Sequence, residues 1–195
     1  MTVFFGLTGS IGMGKSTTAQ MFRDLEVLVY DSDATVHALY SGEAAPLIEA
    51  AFPGSTKDGH VDRVELSKHV VGNEGAMKRL EAIVHPLVRA EELKFRQQAV
   101  DDKRPLAILD IPLLFETGGE GRVDKIIVVT APPEIQRQRV LARDGMTSEK
   151  FEAILRRQVP DAEKRQRADY IVDTSKGMDW AQQEVAKIVA SVMNR

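Results

Sequence analysis

Residues 9–16 read Gly9-Ser10-Ile11-Gly12-Met13-Gly14-Lys15-Ser16, a complete G-x-x-x-x-G-K-S sequence directly after the apolar run Val3-Phe4-Phe5-Gly6-Leu7-Thr8. The run has the length and composition of a buried parallel strand. Thr17-Thr18-Ala19-Gln20-Met21-Phe22 reads as the first turns of a helix. Strand, glycine loop and helix in that order restrict the chain to a small set of α/β architectures. Gly9, Gly12 and Gly14 let the backbone turn sharply and aim its N–H groups inward, and the new helix adds its positive end. Lys15 is placed to reach terminal phosphates, and the Ser16 hydroxyl to ligand magnesium. A glycine-rich turn that binds nothing, or a Rossmann dinucleotide turn, would also follow a strand, but a Rossmann turn has no use for the Lys-Ser pair. The motif predicts a site for ATP or GTP with magnesium.

The rest of the composition narrows the class. At 195 residues the chain can bury a real core as one domain or one with an insertion. A net charge of −3 gives no electrostatic footprint for nucleic acid. No apolar run approaches the roughly 18–20 residues of a membrane span, and the N-terminus enters a strand at once, leaving no room for a signal peptide. Cysteine is absent, which excludes a disulfide frame and a thiolate zinc site and, beside a nucleotide site, favours the cytoplasm. No coiled-coil seam or interface stripe sets an oligomeric state.

Five apolar segments have the character of strands in one parallel sheet: Val3–Thr8, Val27–Tyr30, Leu106–Ile111, Lys125–Thr130 and Tyr170–Asp173. Helical patterns separate them, the last carrying Trp180, Val185, Ile188, Val189, Val192 and Met193 at helical spacing, with Trp180 read as a core residue. Alternating strand and helix implies a three-layer α/β fold of the P-loop NTPase type, with ligands at the carboxyl ends of the strands. One interval breaks the rhythm. Asp33 to about Lys103 is mostly helical (Ala34–Tyr40, Ala45–Phe52, Arg63–Val71, Glu74–Gln98), with breakers at Pro53-Gly54 and Asp58-Gly59. That is too long for a simple crossover and too regular for disorder. A helical insertion over 34–103 that holds a second substrate is the functional reading; helical padding on the sheet is the plain one. From Arg137 to Arg167, nine of the 26 Lys and Arg residues stand against five acidic ones. Most of them have the character of solvated surface, but a positive flap facing a phosphate loop is where a phosphoryl-transfer enzyme carries a lid. The organisation expected is thus a core of 1–33, 104–136 and 168–195, the insertion 34–103 and a helical lid over 137–167.

Phosphoryl transfer requires charge neutralisation, an oriented nucleophile and exclusion of water. Asp110 ends the apolar run Leu106-Ala107-Ile108-Leu109, a Walker B arrangement that can hold magnesium directly or through water; a strand-end turn aspartate is the simpler alternative. Tyr30-Asp31-Ser32-Asp33 closes the second strand, on the rim that the phosphate loop shares. Asp33, leading into the insertion, is the candidate base for an attacking hydroxyl. Asp31 is a candidate for substrate or metal binding, or only an N-cap for the following helix. His85-Pro86-Leu87 sits inside the insertion, and neither it nor His37, His60 or His69 belongs to a transition-metal motif.

These residues, in this order, resemble the dephospho-coenzyme A kinases. The resemblance rests on Leu7-Thr8-Gly9 through Thr17, Asp31-Ser32-Asp33, His85-Pro86-Leu87 and Asp110-Ile111-Pro112-Leu113-Leu114-Phe115-Glu116. It continues through Arg137-Gln138-Arg139, Arg143-Asp144, Gln158, Lys164 and Ala168-Asp169-Tyr170-Ile171-Val172-Asp173, and covers nearly the whole chain. It implies transfer of the γ-phosphoryl of ATP to the ribose 3′-hydroxyl of dephospho-coenzyme A, with Asp33 as general base. By the same resemblance Gly9 and Gly12, Met13, Gly14, Lys15, Ser16 and Thr17 would bind the ATP phosphates, and Arg139 and Arg143 would act from the lid side. Asp31, Asp33, His85, Pro112 and Leu113 would bind the acceptor, and Ser16 and Asp110 the magnesium. Four positions depart from the common pattern: Ser10, Met13, Ile154 in the lid, and Thr174 where asparagine is usual.

A nucleoside monophosphate kinase shares sheet, loop and lid, but the long insertion and the Asp31/Asp33 pair argue against it. A GTP switch would carry Asn-Lys-x-Asp, and neither Asn73 nor Asn194 is followed by it. A non-catalytic ATP-binding module would not need two strand-end carboxylates beside the loop.

Overall fold

The apolar runs and helical repeats become regular elements in the computed structural model, which describes residues 1–193. The chain opens with β1 (Val3–Thr8), α1 (Lys15–Asp24), β2 (Leu28–Asp31), α2 (Ser32–Tyr40) and α3 (Ala44–Ala51). Then come a hairpin of β3 (Thr56–Lys57) and β4 (His60–Val61), α4 (Arg63–Val70) and α5 (Glu74–Asp101). The remainder is β5 (Leu106–Asp110), β6 (Lys125–Thr130), α6 (Pro133–Leu141), α7 (Ser148–Leu155), α8 (Asp161–Gln166), β7 (Tyr170–Asp173) and α9 (Met178–Met193). Positions 194 and 195, which the expected core 168–195 includes, lie outside the described residues.

Two compact units result: Met1–Tyr30 with the chain from Ala99 onward, and Asp31–Gln98. The first is built on a sheet ordered β2-β5-β1-β6-β7. β1 runs parallel to both neighbours, pairing Phe5 with Ile108 of β5 and Leu7 with Ile127 of β6, and β6 pairs in parallel with β7 through Val129 and Val172. All five residues of β5 are buried, so an unbroken apolar run is what the position demands. Phe5, Leu7, Ile127, Val129 and Val172 share a core with Ala19 and Phe22 of α1 and with Ala181, Val185 and Ile188 of α9. β1 is central, and its neighbours on both sides come later in the chain. Its carboxyl end is therefore the kind of strand end at which open α/β sheets leave a crevice.

The second unit has its own core, in which Leu39, Ile48, Phe52, Leu66, Val70, Leu80 and Val84 cluster. Its helices are the expected ones with ends shifted by a few residues, except that Asp58-Gly59 is the turn of a hairpin and not a plain break. Asp58 (φ 52°) and Gly59 (φ 79°) both take the left-handed backbone that a two-residue hairpin loop requires. α5 carries Pro86 in its interior, where the ring cannot donate to the carbonyl one turn earlier.

Two readings of the last helix need correction. Its buried stripe is Ala181, Val185, Ile188 and Val189. Trp180, one position off that stripe, is only partly buried and lies under the Lys176 ammonium, 4.4 Å from the ring centre. Met193 is exposed. The second strand also begins and ends one residue later than expected, so that Asp31 is its final residue.

Candidate active site

The loop after β1 is shaped by what surrounds it. Gly9 is so close to β6 that a Cβ there would lie 2.6 Å from the Val129 carbonyl oxygen. Gly12 and Gly14 take left-handed backbone, φ 78° and 92°, which side-chain-bearing residues adopt at a cost. A Cβ on Gly12 would meet Val140 at 2.4 Å, and one on Gly14 would crowd Thr174 at 3.1 Å. α1 starts at Lys15 with no side-chain cap and no acidic residue in its first turn. The helix thus supplies no capping side chain and no acidic residue of its own to its N–H groups and positive end. Ser16 and Thr17 are exposed on that turn. A helix start of this kind is chemically suited to a phosphate.

Lys15 Nζ lies 2.6 Å from Asp110 Oδ1 at the end of β5, and the carboxylate is only 3 % exposed. Charges this far out of water tolerate burial only when paired. The residue read as reaching phosphates and the one read as holding magnesium are thus paired with each other here. Beyond Asp110, Pro112 accepts a hydrogen bond from the Thr8 hydroxyl through its carbonyl at 3.1 Å, while Leu113 is exposed.

Side chains from remote parts of the sequence hold the loop in place. The Thr174 hydroxyl donates to the Met13 carbonyl at 2.7 Å. Arg139 Nη1 in turn donates to that hydroxyl oxygen at 2.7 Å, and its Nη2 donates to the Thr174 carbonyl at 3.0 Å. Gln136, buried in α6, donates to the Ile11 carbonyl at 2.8 Å. The Ile11 amide donates to Gln158 Oε1 at 3.1 Å. Met13 is buried and its sulfur accepts from the Ala131 amide at 3.0 Å, which gives this departure a structural reason. A cleft of about 300 Å³ opens between these parts, walled by Gly12, Gly14, Thr17, Arg139, Arg143 and Thr174, with Gly177 and Met178 at the start of α9. Arg143 is exposed there.

The basic stretch is fastened at its base. Lys164 in α8 is fully buried and lies 2.8 Å from Glu116 Oε1, which also accepts from the Val159 amide at 2.9 Å. The Thr130 hydroxyl donates to Asp161 at 2.8 Å. Ile154, the other departure in this stretch, is half-buried in α7.

In the helical unit, Asp31 is the N-cap of α2 and accepts from the Ala34 amide at 2.9 Å. Asp33, two residues on, is exposed and makes no hydrogen bond or ion pair among the described residues of its unit. It lines a cavity of about 530 Å³ with Val36, Tyr40, Arg63, Leu66, Ser67, Val70 and Leu80. His85 is exposed on α5 and is not among these lining residues.

The model of the family described as dephospho-CoA kinase matches residues 3–179. A dephospho-CoA kinase of Mesorhizobium japonicum is 61% identical over 187 residues, covering 96% of this chain and 95% of its own. The chain belongs to the dephospho-CoA kinase family. It is a kinase, and among solved structures a protein of Thermus thermophilus superposes with a TM-score of 0.85 at 35% identity, covering 97% of this chain and 96% of its own. The dephospho-CoA kinase of Campylobacter jejuni does so with a TM-score of 0.69 at 28% identity, covering 98% and 97%. For a member of this family, two contributors to the site escaped the reading of the residues. Gln136 carries no motif; its signal is only that a glutamine falls on the inner face of a helix. Thr174, read only as a departure from the common pattern, is the residue that bonds the phosphate loop to Arg139.

Proposed function

We propose that the chain transfers the γ-phosphoryl group of ATP to the ribose 3′-hydroxyl of dephospho-coenzyme A, giving coenzyme A and ADP. The observation that carries this reading is the uncapped start of α1 behind an intact phosphate loop, with Lys15 on Asp110, in a chain of this family. Gly9 and Gly12 through Thr17 bind the phosphates through backbone N–H groups, and the remainder of the nucleotide occupies the cleft beside Thr174 and Gly177. Lys15 moves from Asp110 to the terminal phosphates as they arrive, and Arg139 and Arg143 add positive charge where the transferring group spreads its own.

The donor set beside Lys15 suits magnesium. An exposed Ser16 hydroxyl and the Asp110 carboxylate offer hard oxygen ligands, and this ion commonly takes only one or two carboxylates besides phosphate oxygens. Held by Ser16 and Asp110 together with ATP, it would supply charge neutralisation at the phosphates. At the acceptor, Asp33 takes the proton of the 3′-hydroxyl as that oxygen bonds to the γ-phosphorus and the bond to the β–γ bridging oxygen breaks. Asp31, its side chain committed to the start of α2, fixes the segment that carries Asp33. The role of acceptor domain for the helical unit, with His85, and of acceptor contacts for Pro112 and Leu113, rests on the family's pattern.

Residues 137–167 serve as the lid, hinged beside the Glu116–Lys164 pair, and closure over both substrates is expected to protect the Arg143–Arg157 stretch from proteolysis. Among the described residues no helix is long and apolar enough to cross a membrane. We assign the reaction to the cytoplasm, with the ATP that serves as its phosphoryl donor. The decisive assay compares ADP release from Mg-ATP with dephospho-coenzyme A, AMP and other nucleoside monophosphates as acceptors. Turnover confined to dephospho-coenzyme A, with one phosphoryl group added by product mass, is the expected result. Turnover of a monophosphate in its place would keep the phosphate-loop roles and discard the acceptor.

A further inference from the structure

The cavity that holds Asp33 has one other charged wall, Arg63. Arg63 is the first residue of α4, directly after Asp62, whose side chain accepts from the Val64 and Glu65 amides at 2.9 and 3.1 Å. Its guanidinium lies over the Tyr40 ring, 5.4 Å from the centre, and Nη2 lies 3.4 Å from His37 Nδ1. Among the described residues no carboxylate neutralises it. An exposed arginine with acidic residues elsewhere in its unit ordinarily finds a carboxylate or hangs in solvent; this one lies over an aromatic face in the wall of a cavity. Burial pushes the Tyr40 hydroxyl above its ordinary pKa, with Arg63 opposing, so the tyrosine stays neutral and offers the guanidinium a ring face, not a counter-ion.

We infer that Arg63, stacked on Tyr40, is the anchor for the diphosphate of the acceptor, and that it sets the specificity of the site for an acceptor with a diphosphate on its ribose 5′-carbon. This rests on the acceptor named above. One sugar ring separates the 3′-hydroxyl, which Asp33 must reach, from the 5′-diphosphate. A single cavity that carries one carboxylate and one unneutralised guanidinium suits those two ends, while Val36, Leu66, Val70 and Leu80 receive uncharged surface. Guanidinium is the cation suited to the task, because its planar fork binds phosphate oxygens in pairs and it stacks on an aromatic face as ammonium does not. Tyr40 is the positioning residue that keeps the fork in the cavity.

The test is steady-state kinetics on the unmodified enzyme, Arg63→Met and Arg63→Lys, with adenosine as a competitive inhibitor against dephospho-coenzyme A. Adenosine presents the same ribose and base without the diphosphate. Arg63→Met is expected to raise KM for dephospho-coenzyme A by about 10–100-fold, the range for loss of charge-assisted hydrogen bonds. KM for ATP and the inhibition constant of adenosine should stay within about twofold, a range set by ordinary surface substitutions. Arg63→Lys should recover part of the loss, since the charge remains and the fork does not. An unchanged KM for dephospho-coenzyme A in Arg63→Met overturns the inference. So does an equal weakening of adenosine, which would make Arg63 a packing residue of Tyr40 and α4. A folding defect in Arg63→Met would appear as a lowered melting temperature, and Arg63→Lys then decides by the same ratio of the two constants. If the unmodified enzyme ignores dephospho-coenzyme A, the acceptor assignment itself is wrong and the anchor falls with it, a failure distinguishable because no variant is involved.

Discussion

At the phosphate loop, Ile11 and Met13 are held by side chains of Gln136, Gln158 and Thr174, and Lys15 already has its carboxylate. In the Asp33 cavity, the two charged residues have between them one ring face and one 3.4 Å contact to an imidazole. Each region follows from the job proposed for it. A loop that must present several backbone N–H groups to one phosphate gains from being fixed before the ligand arrives, because little reorganisation is then left for the transition state. A carboxylate that must take a proton, and a guanidinium that must bind an anion, are useless if the protein has already satisfied them. The rigid side thus belongs to the donor that every turnover shares, and the unsatisfied side to the acceptor that has to be chosen.

The largest expected effect breaks the donor side. Lys15→Ala should lower kcat by at least about 10²–10³-fold, the range for removing one preorganised donor to transition-state charge. The fold should persist by circular dichroism but melt lower, because Asp110 is left buried without its cation. Adding Asp110→Asn should restore much of the melting temperature and none of the turnover. Near-normal turnover in Lys15→Ala would remove the phosphate loop from the mechanism altogether.

On the acceptor side, Asp33→Asn should cost about 10²–10⁴-fold in kcat, the span of general-base contributions. ATP affinity, read by calorimetry, should hardly change. Melting should change little, since Asp33 is exposed and makes no hydrogen bond or ion pair among the described residues of its unit. A collapse of ATP affinity with normal turnover of bound acceptor would show that Asp33 is not the base. Together these two variants separate a residue that stabilises both fold and reaction from one that serves the reaction alone.

Thr174→Val sharpens the comparison at lower amplitude. It leaves the Met13 carbonyl without its donor and deprives Arg139 of one acceptor, a loss of about 1–3 kcal/mol for unsatisfied polar groups. ATP affinity should fall severalfold and stability with it, while KM for dephospho-coenzyme A stays put. Equal effects on both substrates would mean that the loop and the acceptor cavity are coupled through this threonine.

The same contrast explains what could be read from the residues. The phosphate loop, the five strands and Asp110 are local patterns: an apolar run, glycines at set spacing, a carboxylate at a strand end. Gln136 and Thr174 work through contacts 125 and 161 positions away along the chain, and nothing in their neighbours announces such a partner. The hairpin at Asp58-Gly59 was legible in kind, a turn, but two-residue strands are too short to show alternation. Trp180 was misplaced for a related reason. A large aromatic at nearly the right helical spacing passes for core until the true stripe, one position later, is seen to be filled by Ala181. Arg63 offered no pattern at all, since a charged residue at the start of a helix is ordinary surface until the ring beneath it is known.

The smallest effect concerns the end of the sheet where β6 and β7 begin. Asp169 accepts from Lys125 Nζ at 2.6 Å and from the Ile126 amide at 2.8 Å. Partial burial alone would raise its pKa, but these two donors outweigh that and hold the carboxyl below its ordinary 3.8. A carboxyl acidified by folding adds stability at pH values above its unfolded pKa, and the contribution disappears as pH falls through the lower folded value. In Asp169→Asn the amide oxygen still accepts from Ile126, so what is lost is the charge–charge attraction between Asp169 and Lys125. Both side chains are about one-third exposed, 36% and 35%, and the pair is screened; the expected loss at pH 7 is about 0.2–1 kcal/mol. Denaturant unfolding from pH 7 to pH 3 should therefore show the variant weaker at neutral pH, with the gap narrowing below about pH 4 as the parent carboxyl protonates. Turnover should not respond, because neither residue lines the cleft beside the phosphate loop. A gap that instead widens toward acid would mean that Asp169 stabilises β6 and β7 through its hydrogen-bond geometry, with its charge contributing nothing.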